Sequence, residues 1–354
     1  MVPRLCGAPC ALLYSLYCVA YASGSATTTG ATSAACSAAL RRTCPLTGAA
    51  RDASSCEICC GRGQHVLRAA SCSAVDCTSY CSSQMPTPSV VDTTTLTGKF
   101  MMGFQGWFAT PCDGYNVGWS HWSRGNRTPG PDPNLQGFLN FDSWPDMSEF
   151  DQDELCPTNL RYANGSIAGL YSNANAKTVA RFFRWMAAAG VDGVWRQRFL
   201  SDVSSPGHGR EFQDKVTQNV AAAATSSGRA WAMMYDISGA DPETLVDQLM
   251  ADWAHLTKDM KILDSDRYLR HRGQPILAIW GLGFKDPKRN IPASTATAIQ
   301  DYFESANVTL MGGVPTGWRD LTRDSESDPA WAAVYRRFAV ISPWTVGRSV
   351  LQSI

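Results

Sequence analysis

The chain has 354 residues, with 31 Lys+Arg against 31 Asp+Glu, so its formal net charge is zero. That balance excludes a basic field able to draw in nucleic acid or anionic lipid. Hydrophobic residues make up 44%, enough for a sizeable core, and the length suits two domains or one large domain with an appendage.

The first 22 residues read as a signal peptide. Arg4 supplies the positive charge, an apolar stretch runs from Leu5 to Ala22, and Ala20-Tyr21-Ala22 fits a small-x-small cleavage site. The expectation is a secreted, extracellular protein with no membrane span, since this apolar stretch is short for one and no later segment approaches about 20 apolar residues. Three N-glycosylation sequons begin at Asn126, Asn164 and Asn307. Residues 23–35 form a Ser/Thr/Ala/Gly run without periodicity, expected as a flexible leader.

Of the 13 cysteines, Cys6, Cys10 and Cys18 leave with the signal peptide, which leaves ten. Eight of these fall within residues 36–81: Cys36, Cys44, Cys56, Cys59, Cys60, Cys72, Cys77 and Cys81. Such density reads as a small disulfide-stapled module whose connectivity is not derivable from spacing. Cys56 and Cys59 near His65 carry a zinc-like spacing, but an oxidising compartment favours disulfides. Leu40, Ile58, Val66 and Leu67 offer this module a very small core. Residues 82–97, rich in Ser, Thr and Pro, read as an extended linker.

From residue 98 onward apolar strands alternate with amphipathic helices. The pattern predicts strands over 100–108, 191–200, 230–237, 275–284, 308–314 and 338–344. It predicts helices over 175–189, 211–226, 242–262, 293–305 and 330–337. This is the signature of a parallel sheet, and the lack of a dinucleotide glycine fingerprint favours a barrel over a doubly wound sheet. The fold class expected is α/β, a (β/α)8 TIM-type barrel over 98–354 lacking its last strand or strands.

In a parallel barrel, chemistry collects where strands end. Those ends supply Gln105, Trp107, Gln197, Arg198, Tyr235, Asp236, Trp280 and Trp344, and the loops add His121, Asp142 and Arg319. Trp, Tyr, Asp, Gln and Arg together suit sugars, because indole faces stack on pyranose rings and the polar groups hold hydroxyls. Each has a structural alternative. A Trp at a strand end can plug the barrel mouth, Asp236 can cap the turn at Ser238-Gly239, and Arg198 can pair with a neighbouring carboxylate. The five His, at 65, 121, 208, 255 and 271, do not cluster, so no metal is expected, and no cofactor motif occurs.

Seven runs then occur in order: residues 103–108 (GFQGWF), 144–149 (WPDMSE), 192–199 (DGVWRQRF), 234–239 (MYDISG), 278–281 (AIWG), 312–319 (GGVPTGWR) and 341–348 (ISPWTVGR). Together they resemble proteins related to glycoside hydrolase families 71 and 99, some of which carry xylosidase/arabinosidase labels, over about residues 98–348. The resemblance implies a (β/α)8 barrel that cleaves glycosidic bonds; family 99 itself acts on α-mannosides through a Glu-x-x-Glu pair near the final strand. This chain has no late segment resembling Phe-Asp-Glu-x-x-Glu-Gly-Thr. Asp153-Glu154 and Asp324-Ser-Glu326 do not match by context, so the carboxylate pair is expected mostly beyond Ile354. Cys112 also departs from the pattern, where Gly is more usual, and has Cys156 as its only companion in this domain. The expected function is a glycoside-hydrolase-like protein that acts on or binds glycans, with Asp236 as the retained acid. The alternative is a catalytically silent glycan-binding or adhesion protein.

Overall fold

The computed structural model describes residues 34–43, 67, 70, 72, 89–132, 134, 137–204, 207–285 and 291–346. The chain divides into two units, Met1–Pro86 and Thr87–Ile354. In the first, helix α1 (Ala34–Thr43) buries Cys36, Ala39 and Leu40, and Leu67 is buried too. Cys36 is disulfide-bonded to Cys72. The signal peptide, leader residues 23–33, Ile58 and Val66 lie outside the described residues, as do Cys44, Cys56, Cys59, Cys60, Cys77 and Cys81, while Ala34 and Ala35, expected in the leader, open helix α1.

The second unit is built on parallel strands β1 (Met101–Phe104), β4 (Gly193–Phe199), β5 (Ala230–Asp236), β7 (Gln274–Trp280), β8 (Thr309–Val314) and β9 (Val340–Pro343). Their spatial order is β1-β4-β5-β7-β8-β9, each paired in parallel with the next, and the short β6 (Arg270–His271) pairs antiparallel with β7. The result is a curled half-barrel. Among the described residues β1 and β9 form its two edges, which is the incomplete barrel expected rather than a closed one. Phe100 is exposed just before β1 and Met102 within it, and Trp344 and Val346 are exposed after β9. Such apolar edges are what a closed barrel removes.

The helices that cover the outer face follow from apolar spacing. Asn175 caps α2 (Ala176–Ala188), its Oδ1 accepting from the Lys177 N–H, and Val179 and Phe183 are buried on one stripe. After the one-turn α3 (Leu200–Val203), the stripe in α4 (His208–Ser227) is Phe212, Val216, Val220 and Ala223, and the helix stops at Gly228 in the left-handed region. These side chains join Val194, Met233, Leu277 and Leu310 of the sheet in one apolar cluster, together with Leu249 and Trp253 of α5 (Leu245–Ala254) and Ile299 and Phe303 of α6 (Ala293–Ser305). The last helix of the described residues is α7 (Ala330–Arg337). Helix α5 begins three residues later than Pro242 suggests, because the N–H groups of Thr244 and Leu245 first close a turn on the Asp241 carbonyl. Beyond Ala254 it widens into a π turn over His255–Asp259.

Two segments differ from the sequence reading. Residues 155–171 form an antiparallel hairpin, β2 (Leu155–Arg161) with β3 (Ile167–Tyr171), whose pairing shifts register between Pro157 and Arg161. Pro157 pairs with Gly169 just before that shift, and a proline inside the run hides the strand from a propensity reading. The hairpin lies over Trp119 and Trp122, and Cys156 is disulfide-bonded to Cys112. The expected linker also reaches into the fold. Val91 is buried, Arg267 donates to its carbonyl (2.9 Å), and the Arg270 N–H donates to the Thr93 carbonyl (2.7 Å). The packed unit therefore begins about ten residues before Lys99.

Behind β4 and β5 lies a buried ionic cluster. Arg198 donates to both carboxylate oxygens of Asp252 at 2.7 Å and to Asp214 at 2.8 Å, and the Tyr235 hydroxyl donates to Asp252 at 2.7 Å. Burial acts to raise the Asp252 carboxyl, but the hydrogen bonds and charge of Arg198 outweigh it and hold the group below its ordinary value. Replacing Asp252 with Ala leaves the buried Arg198 with Asp214 as its one remaining ion-pair partner among the described residues and strips the Tyr235 hydroxyl of its acceptor. We therefore expect a loss of about 3 kcal/mol in chemical denaturation, the lower end of the cost of breaking a buried pair. Because the folded carboxyl is depressed, its contribution to stability is present above the unfolded value of about 4 and is lost as pH falls through the folded one. D252A should therefore lack this acid-side component. Wild-type stability and the same acid profile in D252A would contradict the assignment.

Candidate functional site

A cavity of about 590 Å³ opens on the inner face of the half-barrel. Its lining follows from strand register. Phe199 pairs with Asp236, Asp236 with Trp280, Trp280 with Gly313, and Gly313 with Ser342. Side chains alternate across a strand, so residues at one level of neighbouring parallel strands face the same side. Phe199, Asp236, Trp280 and Ser342 all line the cavity. Two residues back, Gln197 and Met234 are paired and line it too.

Asp236 is held from two directions. Gln197 Nε2 donates to one carboxylate oxygen (3.0 Å), and the Ser238 backbone N–H donates to the other (2.8 Å). The group thus caps the turn after β5 while lining the cavity, so the two readings of Asp236 coexist.

The walls are indole. Trp107, Trp195, Trp280 and Trp344 all line the cavity. Trp280 and Trp344 meet edge to face, centroids 5.4 Å apart at 82°. A Cβ on Gly313 would overlap the Trp280 ring, so a glycine is required for that indole to lie flat on β8. Trp107 is stacked by His121 at 4.1 Å and 10°, and by Phe199 at 5.7 Å and 13°. Its Nε1 and the Oε1 of Gln105 are buried without a hydrogen-bond partner, a donor and an acceptor left open on two lining residues.

The strand-end turn that presents Gln105 and Trp107 is fixed from behind. Arg196 Nη1 donates to the Gln105 carbonyl (2.9 Å) and also meets the Gln197 carbonyl, while Nη2 reaches the side chain of Gln213. Burial, and secondarily the charge of Arg198, pull Arg196 down to about 9. Gly106 turns at φ 62°, and a Cβ there would come within 2.8 Å of Val216.

The sequence-derived candidates divide by position. Gln105, Trp107, Gln197, Asp236, Trp280 and Trp344 come together around the cavity. His121 stands one ring away, behind Trp107; burial lowers its pKa, against an opposing pull from Asp202. The Asp202 carboxyl is raised, burial again coming first. Arg198 and Tyr235 point the other way, into the ionic cluster behind the sheet. Asp142 is exposed in the loop over 141–147 and does not line the cavity, and Arg319 is exposed and lies over the Trp318 ring at 5.0 Å. Sequence reasoning missed Trp195, Phe199, Met234, Ser238, Met311 and Ser342, which line the cavity as well. Among the described residues no group of three or more His, Cys, Asp or Glu is placed to hold a metal.

The chain matches no protein-family model. It matches no curated protein sequence. Among solved structures it is similar to the GH99 endo-alpha-mannosidase from Bacteroides thetaiotaomicron, at 12% identity and a TM-score of 0.32, over 69% of this chain and 83% of that one. A second structure of that enzyme, in complex with bis-tris-propane, gives 12% identity, a TM-score of 0.30 and coverage of 69% and 82%.

Gly313→Ala should push Trp280 off β8. Crowding of this kind costs about 1–3 kcal/mol. We expect a lower melting temperature together with a weakened near-UV circular dichroism signal from the Trp280–Trp344 pair. An unchanged melting temperature with an unchanged near-UV spectrum would contradict the packing described.

Proposed function

We propose that this chain carries a glycoside-hydrolase-like pocket that takes up a glycan. The observation that carries the reading is the juxtaposition of Asp236, oriented by Gln197, with four indoles in one cavity. Apolar ring faces suit the C–H face of a sugar, and a fixed carboxylate accepts from hydroxyl groups. The cavity volume falls in the range of about 300–1,000 Å³ that encloses a ligand of a few rings.

Hydrolysis of a glycosidic bond needs two carboxyl groups, one to protonate the leaving oxygen and one on the anomeric side. Among the described residues Asp236 is the only carboxylate that lines the cavity. This favours a second reading, binding without turnover by the residues described. A secreted setting is part of the proposal. It is supported by the disulfides Cys36–Cys72 and Cys112–Cys156, and by the exposure of Asn126, Asn164 and Asn307 at the three sequons. No helix of the described residues is long and apolar enough to cross a membrane.

The test is calorimetric and fluorescence titration of the chain with xylo-, arabino-, manno- and gluco-oligosaccharides, with aryl glycosides assayed in parallel. Binding should perturb tryptophan emission, and Asp236→Asn should weaken it about 10- to 100-fold, the worth of a hydrogen bond to a charged group. Turnover that Asp236→Asn abolishes would establish hydrolysis over mere binding. A chain that binds no oligosaccharide would overturn the proposal.

A further inference from the structure

We infer that the glycan taken by this pocket carries a protonated amine, an amino sugar with a free ammonium group. The inference rests on the glycan reading above and adds the charge of the ligand. It starts from the electrostatics of the lining. Asp236 is the single ionisable acid there, and no Lys, Arg or His of the described residues lines the cavity. The pocket therefore presents one negative charge and no positive one.

Asp236 is also unlike the buried carboxylates elsewhere in this unit. Glu154 sits on Arg181, and Asp252 sits on Arg198. Asp236 receives only neutral donors, the Gln197 amide and the Ser238 backbone N–H, and forms no ion pair among the described residues. Each of its oxygens accepts one hydrogen bond and keeps a second acceptor site. A half-buried carboxylate walled by indoles and without a counter-ion favours a ligand that brings the cation.

The walls reinforce this choice. Trp195, Trp280, Trp344 and Phe284 line the same cavity, and the faces of such rings are negative and attract an ammonium ion. Acidic sugars, such as uronic acids or sulfated residues, would meet Asp236 with no basic side chain to compensate. Neutral sugars gain the stacking but not the charge. A simple ammonium ion gains the charge but leaves most of the 590 Å³ unfilled.

The experiment compares three matched tetrasaccharides on the intact chain: a glucosamine oligomer, its N-acetylated form and its glucose form, with tetramethylammonium chloride as a fourth probe. The amine oligomer should bind at least about tenfold more tightly than the other two, the usual margin of a charge-assisted hydrogen bond over a neutral one. That margin should shrink as salt rises, and disappear in Asp236→Asn. The comparison of ligands is made on the unmodified chain, so it stands even where the variant is too unstable to assay. Equal affinity for the three tetrasaccharides would overturn the amine inference and leave the glycan reading intact. Binding of none of them would overturn the amine inference, and would overturn the glycan reading as well where the xylo-, arabino- and manno-oligosaccharides also fail to bind. Tetramethylammonium binding as tightly as the amine oligomer would show that the sugar ring contributes nothing, and would overturn the assignment to an amino sugar.

Discussion

The alternation of β4 is the constraint on which the rest of the barrel depends. Consecutive residues of this strand serve opposite faces: Gln197 turns inward to Asp236, while Arg198 turns outward to Asp252 and Asp214. A slip of one residue would expose the apolar cavity wall to the helices and drive a guanidinium into the cavity. The buried Arg198–Asp252 pair resists that slip, because either ion left alone in the interior is far more costly than the pair. The back of the sheet thereby sets the register in which the front of the sheet assembles its site.

The same division explains why two charged groups on paired strands, one register level apart, have different chemistry. Arg198 is raised above its ordinary value despite burial, because Asp252 stabilises its charge, and so it is fixed in one state. Asp236, on the inner face, is oriented only by neutral donors and keeps acceptor sites for a ligand. Arg196 completes the arrangement from behind, since its guanidinium holds the carbonyl of Gln105 and with it the turn that carries Trp107. In this account the outer layer supplies rigidity and the inner layer supplies recognition.

Much of the architecture was legible in the sequence. Helices over 293–305 and 330–337 and a strand over 230–237 follow from periodicity, because their apolar spacing is regular, whereas the strand expected over 275–284 ends at Trp280, four residues earlier than the apolar run suggests. Face was harder to read than position. Gln197 and Arg198, or Tyr235 and Asp236, stand side by side in sequence, and only the pleat assigns one of each pair to the cavity. Applied along β4 from Gln197, that parity also yields Trp195 and Phe199, which a search for polar strand ends passes over. The loop residues Asp142 and Arg319 carry no periodicity, so their sequence context does not say whether they approach the strands. Proline at position 157 conceals the β2–β3 hairpin for a similar reason: it pairs with Gly169 at the last position before the register shift, and a proline removes the sequence signal of a strand.

The central claim is that one cavity, bounded by Trp280 and Trp344 and anchored on Asp236, receives a glycan. A crystal structure of the chain soaked with the tightest-binding oligosaccharide tests it most directly. The account predicts a sugar ring against the Trp280–Trp344 pair, with a donor of that sugar within hydrogen-bond distance of an Asp236 carboxylate oxygen. Sugar density confined to another surface, with this cavity holding solvent alone, would contradict it.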